Sequence, residues 1–209
     1  MIKNVIFDWS GTLSNDIIPV YTATMKVFET LGLKALSLEE YKKEFMLPYM
    51  DFYKKFRKDL KKEKVNELFF NEINSVKEPK LFSEAKELLE YLKKRDIKMA
   101  ILSSHPEEKL KKEIKEQAVK KFFKGIYGGV HNKVKTIKEI IKNENFKAKE
   151  TAYVGDMTYD IEAGKKAKVI AIAVSWGYQN ESKLLSKKPD IFVKSFSDLK
   201  SKIVTDNKY

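Results

Sequence analysis

Short apolar runs alternate with longer stretches of helical spacing along most of this chain. Val5-Ile6-Phe7, Met99-Ala100-Ile101-Leu102, Ala152-Tyr153-Val154 and Val169 to Val174 are continuous and rich in β-branched residues. Each is bounded by turn-forming residues, the pattern of a strand buried on both faces. Phe122 to Val130 reads as a further short strand and turn, and Asp190-Ile191-Phe192-Val193 as the last strand. Between the runs, Leu88, Leu89 and Leu92, then Val134, Ile137, Ile140 and Ile141, fall on single helical faces, and Phe196 to Ile203 reads as a closing helix. Strands alternating with helices predict an α/β fold with a doubly wound parallel sheet.

Residues 16–78 break the alternation. Ser14 to Pro19 reads as a turn-rich exit from the first strand, and thereafter only helical periodicity appears. Val20, Met25, Val27, Phe28 and Leu31 form one amphipathic face stopped by Gly32, and Ser37 caps a second helix. The expected organisation is a catalytic core of residues 1–15 and 79–209 with a small α-helical domain, 16–78, inserted. Within the insertion, Phe45 to Tyr53 is unusually aromatic and broken by Pro48, which suits helix packing, a surface closing over a site, or both.

A length of 209 residues suits one well-buried core plus such an insertion. The net charge of +12 comes almost wholly from Lys, with Arg57 and Arg95 the only arginines. The lysines interleave with Glu at helical spacing, as in Glu107 to Glu113, the pattern of solvated faces, so dedicated nucleic-acid binding is disfavoured. No apolar run reaches the roughly 20 residues that span a bilayer, and the N-terminal one is too short for a signal peptide, so a cytoplasmic protein is expected. The absence of Cys excludes disulfides, thiolate catalysis and Cys-ligated zinc.

The candidate chemistry sits at strand ends. Asp8 follows the first run, with Gly11 and Thr12 in a turn whose amides and hydroxyl suit phosphate oxygens. Alone, the pattern fits a turn-capping Asp equally well. Ser103 and Ser104 follow the second run and open a helix, a favourable place for an anion. Lys133 begins another helix, with Lys135 as runner-up. Asp156 and Asp160 leave the strand that ends at Val154, and two carboxylates opposite Asp8 suit Mg²⁺, a hard cation preferring oxygen ligands.

These signals, in this order, resemble the haloacid dehalogenase superfamily of phosphohydrolases over nearly the whole chain. The resemblance implies a Rossmann-like core with a helical cap, and a small phosphorylated substrate taken up by a monomer or homodimer. It implies Asp8 as a nucleophile that forms an aspartyl-phosphate, Ser103 as the phosphate-binding hydroxyl with Ser104 beside it, and Lys133 as the neutralising cation. Mg²⁺ would be held by Asp8, Asp156 and the backbone carbonyl of Ser10, with Asp160 supporting.

One position departs from the family. Its phosphatases usually carry, two residues after the nucleophile, an Asp that protonates the leaving group and then activates water; here that residue is Ser10. General acid–base help is typically worth about 10² to 10⁴ in rate. Three readings follow: a phosphatase that is slow or draws on another group such as His105 or His131; hydrolysis of a C–P bond, since Asp8-Trp9-Ser10-Gly11-Thr12 is similar to phosphonoacetaldehyde hydrolases; or a phosphate-ligand or protein-partner module without turnover.

Overall fold

The computed structural model describes residues 1–76 and 79–204. In chain order the elements are β1 (Asn4–Phe7), β2 (Ser14–Asn15), α1 (Ile17–Thr30), α2 (Leu38–Glu44), α3 (Tyr49–Phe56), α4 (Lys62–Ile73), β3 (Lys80–Leu81) and α5 (Ala85–Lys93). There follow β4 (Lys98–Leu102), α6 (Glu107–Glu116), β5 (Phe123–Tyr127), α7 (Lys133–Asn143), β6 (Thr151–Gly155), α8 (Thr158–Ala167), β7 (Ile170–Val174), α9 (Glu181–Leu185), β8 (Ile191–Val193) and α10 (Phe196–Ile203).

Six strands form one sheet in the order β5-β4-β1-β6-β7-β8, and every pairing in it is parallel. Strand alternation assigns the faces. Val5, Phe7, Met99, Ile101, Ala152, Val154, Ile172 and Val174 turn toward α5, α6 and α10, where Leu88, Leu89, Leu92, Leu110, Ile114 and Leu199 complete one core. Ile6, Ala100, Leu102 and Tyr153 turn the other way onto Ile137 and Ile140 of α7 and Ala163 and Ala167 of α8. Both faces are covered, which is why the strands read as unbroken apolar runs.

β1 lies between β4 and β6, the strands that follow it in the sheet's crossovers, so the connections diverge on either side of it. The crevice outside the carboxyl ends of strands at such a switch point is where open α/β sheets hold ligands. Asp8, Ser103 and Asp156 are the residues that leave β1, β4 and β6 there.

The helices α1 to α4 lie between β2 and β3, which pair as a two-residue antiparallel ribbon, Ser14 with Leu81 and Asn15 with Lys80. They share a hydrophobic cluster built on Val27, Phe28, Tyr41, Phe52, Tyr53 and Val65. The expected boundary at residues 78 and 79 falls partly outside the described residues. Ser37 caps α2 as expected, in a reciprocal box with Glu40. α1, however, begins at Ile17 and takes in Pro19, instead of starting after it. Proline is tolerated in a helix's first turn because that turn's N–H groups have no intrahelical partner.

Candidate active site

Asp8 is 5 % exposed, and its amide still pairs with Val154 at 2.9 Å, so the last ladder bond of β1 fixes the residue that carries the carboxylate. Asp156 and Asp160 come to it from the turn after β6, and carboxylate oxygens of the three lie within 4.8 Å of one another. Lys133, the first residue of α7 and 1 % exposed, reaches into this group: its Nζ lies 2.6 Å from Asp160 Oδ1 and 3.2 Å from Asp8 Oδ2. A cation at a helix N-terminus opposes the helix dipole; here two buried carboxylates offset that cost. Lys135, the runner-up, is exposed and pairs with Glu139 on its own helix.

Each carboxylate has a distinct set of partners. Asp160 accepts from Lys133, from the Tyr153 hydroxyl at 2.9 Å and from the Met157 amide at 3.1 Å, so both its oxygens are occupied. Asp156 accepts from the Thr12 hydroxyl at 3.0 Å and the Tyr178 amide at 2.6 Å. Asp8 Oδ1 is buried and has no hydrogen-bond partner among the described residues. Burial pushes the Asp8 carboxyl up to about 7, with Lys133 pulling it down and Asp160 pushing it further up. Burial, then the charges of Asp160 and Asp8, raise Asp156 well above the usual carboxylate range. Burial alone would lower Lys133, but Asp160 and Asp8 outweigh it and raise the ammonium above its ordinary value.

Three carboxylates against one ammonium, one oxygen of Asp8 unpartnered, and a donor set made wholly of oxygen fit a hard divalent cation such as Mg²⁺. Two glycines make the close approach possible. At Gly11, where φ is +70°, a Cβ would stand 2.4 Å from Asp156 Oδ2, and at Gly177 a Cβ would stand 2.1 Å from Asp156 Cβ.

Ser103 is 1 % exposed at the end of β4 and accepts from the His105 amide at 3.2 Å, whereas Ser104 is exposed. The Thr12 hydroxyl is directed to Asp156, and the turn's amides are engaged as well, Gly11 with Asp16 and the Ser14 carbonyl and Thr12 with the Trp9 carbonyl, so the donors expected to face a phosphate are taken up within the protein. His131 is exposed. His105 is not: its Nε2 lies 3.0 Å from Glu113 Oε1, and Glu113 Oε2 accepts from Trp9 Nε1 at 2.7 Å. Glu113, which reads from the sequence as part of a solvated face, is 6 % exposed and ties the Asp8 loop to the Ser103 loop.

The sequence reading missed the residue that touches Ser10. Asp16 immediately precedes α1 yet makes no cap hydrogen bond. Its carboxylate turns back to accept from the Ser10 hydroxyl and, at 3.0 Å, from the Gly11 amide. It is 2 % exposed; burial raises its carboxyl, against the lowering effects of Ser10, His105 and the Tyr178 hydroxyl. The only sequence signal was an Asp inside a turn-rich stretch.

The sheet order is that of a doubly wound α/β hydrolase, and Asp8, Lys133, Asp156 and Asp160 gather at its carboxyl end, where such sheets hold ligands. The chain belongs to the haloacid dehalogenase-like hydrolase family, whose model matches residues 5–174. It is 32% identical to a phosphoglycolate phosphatase of Aquifex aeolicus over 214 residues, 95% of each chain. It is 29% identical to the Synechococcus elongatus phosphoglycolate phosphatase over 121 residues, 57% of each chain, and 26% identical to the pyrophosphatase PpaX of Listeria welshimeri over 95% of this chain and 94% of that one. A haloacid dehalogenase-like hydrolase structure from Streptococcus pneumoniae superposes with a TM-score of 0.82 at 20% identity, covering 97% of this chain and 99% of the other. Among the described residues no helix is long and apolar enough to cross a membrane.

Proposed function

We propose that this chain is a Mg²⁺-dependent phosphohydrolase acting on a small phosphorylated metabolite through an aspartyl-phosphate on Asp8. The observation that carries the reading is the unpartnered Oδ1 of buried Asp8, set between Lys133 and the Asp156–Asp160 turn. Asp8, Asp156 and the Ser10 carbonyl would hold the ion, with Asp160 behind them because it already carries three donors, the Lys133 ammonium among them, where Asp156 carries two uncharged ones. When bound, Mg²⁺ supplies the charge that lets a carboxylate approach an anionic phosphate.

The chain's own groups do the rest. Asp8 forms a bond to phosphorus as the bond to the leaving oxygen breaks; water then attacks the phosphorus and restores the carboxylate. Lys133 balances charge on the transferring oxygens, and the Ser103 hydroxyl orients them. The proton that Ser10 cannot supply is assigned to Asp16, the carboxyl that grips the Ser10 hydroxyl. Its carboxylic acid protonates the leaving oxygen, and its carboxylate takes the proton from the attacking water. The helices between β2 and β3 form the cap under which this occurs, with Phe45 meeting the core at Tyr178.

Two relatives carry the name phosphoglycolate phosphatase and one the name pyrophosphatase, so phosphoglycolate and pyrophosphate head the substrate panel. The test is release of phosphate from a panel of esters, with phosphonoacetaldehyde included, with and without Mg²⁺ and beside Asp8→Asn. Hydrolysis that needs both Mg²⁺ and Asp8 is expected. Equal hydrolysis in chelator, or by Asp8→Asn, contradicts the reading.

A further inference from the structure

The loop after β7 and the short α9 carry polar side chains for which the reaction has no use, and both end on the helical segment. Gln179 is fully buried. Its Nε2 donates to the Phe45 carbonyl at 2.9 Å, while its Oε1 accepts the Thr158 amide at 2.7 Å. Lys183 Nζ donates to the same Phe45 carbonyl at 2.8 Å and to the Lys43 carbonyl at 2.9 Å. Beside them the rings of Phe45 and Tyr178 lie 5.4 Å apart, and the Tyr178 amide is the one held by Asp156.

The Lys43 and Phe45 carbonyls stand at the C-terminal end of α2, where a helix has acceptors that its own turns cannot satisfy. A lysine there is favoured by both hydrogen bonding and the helix dipole. This one comes from the far side of the chain, out of the core. Burial, followed by the charge of Lys55, holds its ammonium below the ordinary value. Thr158 opens α8 and sits between Asp156 and Asp160 in sequence. A single amide side chain therefore joins the backbone of the acidic turn to the backbone that ends α2. An isosteric apolar side chain at 179 would strand the Thr158 amide, and a buried unpaired donor is costly.

We propose that Gln179 is a positioning residue with two separate holds: together with Lys183 it seats the helical segment on the core at the Phe45 carbonyl, and through the Thr158 amide it fixes the backbone of the acidic turn. Lys183 contributes only the seating. Losing the first hold loosens the segment over the site and weakens substrate binding; losing the second also disturbs the backbone that carries Asp156 and Asp160. The kinetic part of this rests on the function proposed above; the structural part does not.

The test uses the full chain and two readouts, amide hydrogen exchange and steady-state kinetics on the best ester of the panel. Lys183→Met is expected to speed exchange over residues 41–46 by about five- to tenfold and to raise KM, with exchange over 157–161 and kcat unchanged. Gln179→Met is expected to speed exchange in both stretches and to lower kcat as well as raise KM. Should Gln179→Met fail to fold, Gln179→Glu keeps the acceptor for Thr158 and loses the donor to Phe45, so it is expected to match Lys183→Met. Unchanged exchange over 157–161 in Gln179→Met, or faster exchange there in Gln179→Glu or Lys183→Met, overturns the proposal. If no ester is hydrolysed, the proposed function fails while the exchange readout still decides whether Gln179 holds both stretches.

Discussion

The carboxyl end of the sheet and the helices that face it are held by opposite means. At the sheet, order comes from buried charge: Lys133, Asp8, Asp156 and Asp160 are nearly inaccessible and fixed by short polar contacts. In the helical segment, order comes from rings. Phe28 stacks on Phe52 at 5.6 Å and meets Phe56 at 5.1 Å, and Tyr41 lies edge-on to Phe52 at 5.6 Å. The segment's ion pairs, among them Lys26 with Glu72, Lys55 with Glu44, Arg57 with Asp59 and Lys64 with Glu67, are at the surface, where such pairs are worth little. Charge in a buried site is directional and tolerates no substitute. Aromatic packing needs only volume and shape, so its residues can change with the substrate while the fold persists.

The sharpest way to press that contrast is to separate activity from stability. Asp8→Asn should lower kcat by at least about 10³-fold, as removal of a nucleophile does, yet its thermal midpoint without Mg²⁺ should not fall, because an ionised Asp8 is costly where it lies. Phosphate release and calorimetry on one preparation check both halves.

The acid–base assignment predicts the next largest effect. Asp16→Ser should cost about 10² to 10⁴ in kcat on esters with poor leaving groups and less on nitrophenyl phosphate. Adding Ser10→Asp to that variant exchanges carboxyl and hydroxyl in place and should restore most of the loss. Equal losses across leaving groups, with no rescue, would reduce Asp16 to a structural role.

On the other side of the comparison, Phe52→Ala should lower stability by about 3–5 kcal/mol through the cavity it leaves, while the exponent relating rate to leaving-group pKa stays unchanged. Denaturant unfolding followed by a leaving-group series would show whether the segment is as chemically passive as this requires.

The smallest effect concerns protons and metal. Burial pushes the Asp8 carboxyl of the folded protein up to about 7, against 3.8 for the ordinary carboxyl, so between those values the folded state is expected to hold a proton that the unfolded chain has lost. Stability without metal should therefore fall as pH rises from about 4 to about 7. Mg²⁺ favours the ionised form; at 100-fold excess over its dissociation constant it should add about 2.7 kcal/mol at pH 8, and less than half of that at pH 5.5. Midpoints that shift equally at both pH values would remove Asp8 from the metal site.

The two regions also differ in how far the sequence exposed them. The strand ends were legible because a strand buried on both faces leaves an unbroken apolar run, and the first polar residue after it marks the crevice. Asp8, Ser103 and Asp156 all lie where that rule puts them; Lys133, which opens α7, was singled out by the family resemblance instead. Asp16 was hidden because its partner is set by a backbone reversal at Gly11, and nothing in Ser14-Asn15-Asp16 says which way the carboxylate turns. Gln179 and Lys183 were hidden for another reason: their partners are carbonyls, which every residue has. Glu113 looked solvated because lysines surround it in α6, and only the positions of Trp9 and His105, one partner for each of its oxygens, explain its burial. The start of α1 was misplaced because Pro19 looks like a barrier when it stands within a first turn.

The central claim is that phosphate passes through Asp8, and trapping it there tests this most directly. The protein with Mg²⁺ and its best ester is quenched in acid within milliseconds, digested, and the peptide containing Asp8 weighed. The account predicts a fraction of that peptide heavier by one phosphoryl group, lost on treatment with hydroxylamine and absent from Asp8→Asn. Brisk turnover with the added mass on another residue, or with Asp8→Asn turning over as fast as the native chain, would contradict it.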